Sequence, residues 1–294
     1  MLPAEILLDV PRTAPSVKIF RHAVVQRALE RILYIWALRH PASGYVQGIN
    51  DLVTPFYFVF LSRHLPRDRP CTEEDVEALS QAELDQVEAD AYWCLSKLID
   101  SIQDHYTDSQ VRPPSTAFAN LRPPSPTLAP APSPTPDLPR LPCPLAQPGI
   151  QRMVFKLSHL VRRIDAPLHE HLDEQGLQFI QFAFRWMTCL LMRELSLDLI
   201  LRVWDTYLAE HGASDEGGSG ASDGFAVLHV YTCAALMLKF SAELRGMEFQ
   251  DLVLFLQHLP TTGWSDKEVG VLLSEAFVMK SHFHNSQAHL EGGS

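Results

Sequence analysis

Two short stretches hold the side chains best suited to chemistry. In Ile6-Leu7-Leu8-Asp9-Val10-Pro11-Arg12-Thr13, an apolar strip ends in an acid, a proline and a single arginine. In Pro41-Ala42-Ser43-Gly44-Tyr45-Val46-Gln47-Gly48-Ile49-Asn50-Asp51, a turn of glycines and small residues separates an amphipathic run from an apolar one. Glycines at 44 and 48 permit left-handed or close-approach backbone, so Tyr45 and Gln47 can be held in a fixed display. Asn50 has the chemistry of an N-cap for the apolar helix that follows. Each stretch also has a plainer reading when taken alone: Arg12 as a surface ion-pair residue, Gln47 as a loop hydrogen-bonder.

Other common sites are missing from the sequence. It has no GxxxxGK[ST] loop to cradle nucleotide phosphates, no GxGxxG and no GxSxG. His169-Glu170-His171 is not HExxH: on a helix, residues two apart point in different directions and cannot share a metal. These histidines read as exposed polar residues of a helix, and His282 and His284 read the same way.

The elements that must position Arg12 and Gln47 are read from composition and periodicity. The chain has 294 residues, 46% hydrophobic and 20% charged, enough for a substantial core. A formal net charge of -11, with no basic stripe, excludes ordinary nucleic-acid binding. The five cysteines, Cys71, Cys94, Cys143, Cys189 and Cys233, have neither zinc nor redox spacing, which predicts reduced thiols in the cytosol. There is no secretory leader pattern at Met1–Asp9, and no apolar run nears the ~20 residues needed to span a bilayer. The chain reads as soluble.

Val25, Leu29, Ile32 and Trp36 recur at helical spacing until His40-Pro41. Leu84, Val87, Ala91, Leu95, Leu98 and Ile102 form a second stripe, and Ile150, Met153, Leu157, Leu160, Val161 and Ile164 a third. Leu177–Leu195 and Phe225–Phe240 are apolar nearly all round, the pattern of central helices. Ser265-Asp266-Lys267-Glu268 has the form of a capping box opening a last helix. Two segments interrupt this succession. In Ser109–Pro148 thirteen of forty residues are proline, which predicts an extended, disordered insert; it could serve as an SH3 or WW ligand, but a plain spacer is the simpler reading. Ala209–Gly224 holds five glycines with serines and acids and reads as a loop. No alternating strand pattern occurs, so the fold class is all-α.

Read together and in order, these stretches resemble the TBC-domain family of Rab GTPase-activating proteins. The family's arginine motif, IxxDxxR, is matched by Ile6, Asp9 and Arg12, and its YxQ motif by Tyr45, Val46 and Gln47. Further blocks that look like the family's are Glu88–Cys94, Gln178–Met187, Leu191-Met192-Arg193-Glu194 and Arg202–Tyr207. The likeness is strongest to the branch typified by yeast Gyp-one, a Golgi protein, and the animal twenty-two-type TBC proteins. It runs from about Ile6 to Phe283, leaving 284–294 as a tail.

The resemblance implies a V-shaped, two-lobed helical domain over 1–283 that completes a partner's active site in trans. Arg12 would stabilise charge on the γ-phosphoryl group, a contribution worth ~10³–10⁵ in rate. Gln47 would position the attacking water, because its amide can donate to a phosphate oxygen and accept from water at once. Asp9 would align the arginine, and Tyr45, Asn50 and Asp51 would brace the glutamine loop. Arg202, Trp204 and Asp205 would form a buried polar link between helices. The chain would need no cofactor of its own, since the partner, a Rab-family GTPase in its GTP form, holds GTP and Mg²⁺. The implied setting is cytoplasmic, peripheral on Golgi or other endomembranes, in vesicle-mediated transport. Family members carry helical sequence before the arginine motif, and only eleven residues precede Arg12 here, so the resemblance implies a truncated N-terminal part. The alternative from another class is a non-catalytic Rab-binding adaptor or scaffold.

Overall fold

A computed structural model of the chain describes residues 4–41, 44–66, 72–102, 149–214 and 224–283. Among them there are helices, turns and no strand. The proline-rich insert and the tail lie outside the described residues, so the readings made for them stand apart from the structure.

The N-terminal part begins with α1 (Ala4–Asp9), runs into a 3-10 turn (Val10–Arg12), and after a second such turn (Lys18–Arg21) enters α2 (Ala23–Arg39). The loop carrying Gln47 leads to α3 (Ile49–Ser62), then α4 (Glu73–Glu77) and α5 (Gln81–Ser101). The first two apolar stripes lie on α2 and α5, and α2, α3 and α5 pack on one another. Two reciprocal caps start helices here: Thr72 with Asp75 opens α4, and Ser80 with Glu83 opens α5.

The C-terminal part comprises α6 (Gly149–Ile164), α7 (Ala166–Glu174), α8 (Ile180–Thr188), α9 (Leu197–Ser214), α10 (Gly224–Lys239), the one-turn α11 (Ser241–Leu244), α12 (Phe249–Gln257) and α13 (Asp266–Phe283). As its all-round apolar sequence predicts, α10 is central, packed by α6, α9 and α13 and buried from Phe225 to Met237 apart from Val227. At Ser265, Glu268 Oε2 accepts from the Ser265 amide at 2.8 Å and from its hydroxyl at 2.6 Å, while the hydroxyl oxygen accepts the Lys267 amide at 3.3 Å. The two parts meet where α9 packs on α3, and one apolar core runs through both.

Four expectations outside the two loops need correcting. The run 177–195 is not one helix: α8 stops at Thr188, and Leu190 and Leu191 take left-handed backbone at φ 48° and 64°. The 209–224 break starts later than composition suggests, because α9 continues to Ser214. His169 is buried, not exposed: its Nε2 lies 3.0 Å from the Ser158 hydroxyl of α6, while His171 Nε2 pairs with the Met247 carbonyl at 2.9 Å. Arg202 and Asp205 are exposed, so only Trp204 of that trio is buried, donating Nε1–H to the Leu190 carbonyl at 3.1 Å.

Candidate functional site

The arginine loop is built by sequence rules that operate locally. Ile6 and Val10 are buried on the core while Leu7, Leu8 and Pro11 face out, so the strip lies with one side down. Pro11 is the second residue of the 3-10 turn, where its missing N–H costs nothing. Arg12, 67% exposed at its side chain, is drawn back along its own turn: Nη2 donates to Asp9 Oδ1 at 2.7 Å and Nε to the Leu8 carbonyl at 2.9 Å. Asp9 itself is buried, its side chain only 8% exposed.

The glutamine loop is held by its backbone. Gly44 and Gly48 adopt φ 61° and 108°, conformations that cost a side-chain-bearing residue about 1 kcal/mol or more. Val46, between them, is buried, and its carbonyl accepts the Ile49 amide at 3.2 Å. Gln47 is exposed, and its side chain has no hydrogen bond among the described residues. Gly48, not Asn50, caps α3: Asn50 is the helix's second residue, and its Oδ1 accepts the Gly48 amide at 3.1 Å. A β-carbon on Gly48 would meet Cys189 Sγ at 3.4 Å, so the glycine also seats the loop against the turn after α8.

A continuous polar network ties the loops together. Tyr45 gives its one hydroxyl proton chiefly to Asp9 Oδ2, at 2.8 Å, with Asn50 Oδ1 at 3.2 Å. Asn50 Nδ2 donates to Thr13 Oγ1 at 2.9 Å, and that hydroxyl donates to the Asp9 carbonyl at 3.0 Å. Burial first, then the bond to Asp9, pushes the Tyr45 phenol far above its ordinary value, so it remains a donor at any physiological pH. Asp51, in the first turn of α3, is buried beside this network and meets Arg193 Nε at 2.8 Å. Burial raises the Asp51 carboxyl above its usual range, and Arg193 opposes that rise. Burial also pushes the neighbouring Cys189 thiol up to about 12, so it is an inert thiol, not a nucleophile.

All of this borders an open cleft of about 410 Å³. Asp9, Arg12, Gln47, Asn50, Asp51 and Arg193 give it a polar lining, and Ala14, Val17, Met192, Leu195 and Leu197 an apolar one. Tyr45 is not in the lining; it meets Asp9 and Asn50 instead. The six residues picked from the sequence therefore come together. Thr13 and Arg193 were missed. A buried Asp51 at the head of an apolar helix does signal a required counter-charge, but nothing local says that it lies 142 residues away. Among the described residues the cleft offers two exposed cations, Arg12 and the Asp51-bound Arg193, one exposed side-chain amide in Gln47 and no nucleophile–base pair, a set suited to lending groups to another molecule's reaction.

Comparison with known proteins bears on what that molecule is. The family model for the Rab-GTPase-TBC domain matches residues 3–117 and 143–244. The GTPase-activating protein gyp1 of Schizosaccharomyces pombe is 47% identical over 287 residues, covering 98% of this chain and 46% of that protein. TBC1 domain family member 22B of Homo sapiens is 43% identical over 286 residues, covering 97% of this chain and 47% of that protein. The crystal structure of the Ypt/Rab-GAP domain of Gyp1p superposes with a TM-score of 0.73 at 40% identity, covering 95% of this chain and 73% of that one. The chain spans about half the length of the relatives it matches.

Proposed function

This chain belongs to the Rab-GTPase-TBC domain family, and from that premise we propose that it accelerates GTP hydrolysis on a Rab-type small GTPase. The observation that carries the reading is the convergence of Arg12 and Gln47, 35 positions apart, as exposed side chains on one cleft.

In this mechanism the GTP-loaded partner docks over the cleft and supplies both nucleotide and Mg²⁺. Arg12 exchanges Asp9 and the Leu8 carbonyl for oxygens of the γ-phosphoryl group, where charge builds in the transition state. Its planar fork suits two phosphate oxygens better than an ammonium does. Gln47 accepts from the attacking water and donates to a phosphate oxygen, and its stiff loop keeps that geometry at little entropic cost. Asp9 steers Arg12 before docking, while Tyr45, Asn50 and Asp51 hold the two loops in register. The chain is thus an activator acting in trans, with a role in switching off a trafficking signal at Golgi-type membranes that it would join peripherally.

Single-turnover hydrolysis across a panel of GTP-loaded Rabs tests this. At least one Rab should accelerate strongly, and Arg12→Ala or Gln47→Ala should each remove most of the effect. If the folded chain binds a Rab and accelerates none, the activator reading fails and the adaptor reading replaces it.

A further inference from the structure

Two carboxylates, Asp9 and Asp51, are buried side by side under the cleft, each with its side chain 8% exposed. Each has one arginine: Arg12 for Asp9 and Arg193 for Asp51. The arrangement is neutral only while both arginines stay. Resting on the function proposed above, Arg12 must leave to reach the partner's phosphate, and the pair then keeps a single cation.

Both side chains reach solvent, that of Arg193 at 44%, and the difference between the two arginines lies in the backbone that carries them. Arg12 sits on a surface turn with its side chain two-thirds exposed. Arg193 sits on the turn between α8 and α9, where Leu190 and Leu191 hold left-handed backbone. That turn is fixed from several sides: Trp204 donates to the Leu190 carbonyl, the Leu191 amide bonds the Trp186 carbonyl at 3.3 Å, and the Glu194 carbonyl accepts the Thr261 hydroxyl. Strained backbone of this kind persists only where its surroundings over-determine it. The same turn presents Cys189 Sγ to Gly48, directly after Gln47. Arg193 and Asp51 both feel the field of Asp9, so the two ion pairs are not independent.

We propose that Arg193 is a positioning residue: the resident cation that stays on the buried Asp51 carboxylate and keeps the first turn of α3, with the Gln47 loop, in place while Arg12 extends to the partner. Only the Nε edge of Arg193 is bonded to Asp51, and the residue acts through that carboxylate. Without it, departure of Arg12 leaves two buried carboxylates with no cation on either, and their repulsion loosens the α3 turn.

Single-turnover hydrolysis at increasing chain concentration, with thermal unfolding as a folding check, tests the assignment. Arg193→Met should lower the saturating rate by about tenfold to a hundredfold and leave the half-saturating concentration within about twofold. Arg193→Lys should retain part of the rate. The decisive variant is R193M/D51N: removing the surplus carboxylate should restore most of the lost rate. An unchanged rate in Arg193→Met overturns the proposal. So does a raised half-saturating concentration that D51N does not rescue, since Arg193 would then contact the partner itself. If the unaltered chain accelerates no Rab, the functional reading is what fails. The positioning role is then read by amide exchange at 46–52, which should quicken in Arg193→Met and slow again in R193M/D51N; no change there overturns it.

Discussion

Arg12 and Gln47 reach the same cleft from supports of opposite character. The Arg12 turn is an ordinary local structure whose side chain is tied, through Asp9 and the Leu8 carbonyl. The Gln47 loop is the reverse: its side chain is free, and its backbone is locked by Gly44, Gly48, buried Val46 and the Asn50 side chain. A group that must travel to a developing charge is best parked on a partner it can exchange. A group that must orient a water is best mounted on a frame that does not move. The difference predicts different ways of failing: Arg12 by altered side-chain chemistry, Gln47 by altered backbone.

The largest effect should therefore come from Arg12→Lys, which keeps the charge and loses the fork. Activation of the responsive Rab should fall by about a thousandfold, with little change in melting temperature because the residue is exposed. A lysine variant retaining a tenth of the rate would show that charge alone suffices. Next is Gly48→Ala. At φ 108°, with Cys189 Sγ 3.4 Å from the added carbon, it should cost about 1–2 kcal/mol of stability. It should also shift Gln47 enough to lose about a hundredfold in rate. Gly44→Ala meets a milder demand, at φ 61° with open space around it, so it should cost less stability and less rate than Gly48→Ala.

The same contrast marks what was legible in the sequence. Stripes at helical spacing marked α2, α5 and α6, since burial of one face leaves its period in the residues, and an all-round apolar run marked the central α10. The Ser265 box was readable because both partners lie within four positions. Asn50 was misassigned as the cap because its chemistry fits, yet a glycine that can turn left-handed starts the helix two residues earlier. Leu190 and Leu191 gave no warning: leucine favours helix, and only tertiary packing makes the chain break off at Thr188. His169 read as solvent-facing because Ser158, its partner, is on another helix. Convergence of Arg12 with Gln47 was expected from family resemblance alone; no local rule joins two loops across an entire helix.

The turn behind Gln47 also carries a pH signature. Glu194 is buried, and burial lifts its carboxyl from 4.5 to about 6, against the opposing pull of Arg185. The folded chain thus binds a proton here more readily than the unfolded chain does. This stabilising contribution is complete below about 4.5 and is lost as pH rises through about 6, a change of about 2 kcal/mol. Denaturant unfolding of the chain and of Glu194→Gln at several pH values isolates it. The stability difference between the two should move by about that amount in favour of Glu194→Gln from pH 4.5 to 7. A constant difference would mean that Arg185 compensates the ionised carboxylate fully.

The smallest effect tests the bond that joins the two supports. Tyr45→Phe removes one proton and leaves Asp9 Oδ2 and Asn50 Oδ1 without their shared donor. The cost should be about 1 kcal/mol of stability, since water from the adjoining cleft can replace part of the bond at Asp9. If the tyrosine only packs, the rate per folded molecule stays as it was. If it registers the arginine turn against the glutamine loop, as the shared network argues, the saturating rate should fall by a few-fold with the half-saturating concentration unmoved. Arg12→Ala supplies the control: with no arginine left to register, adding Tyr45→Phe should cost stability as before and no further rate. Non-additivity in rate beside additivity in stability would assign the hydroxyl to the coupling of the two arms.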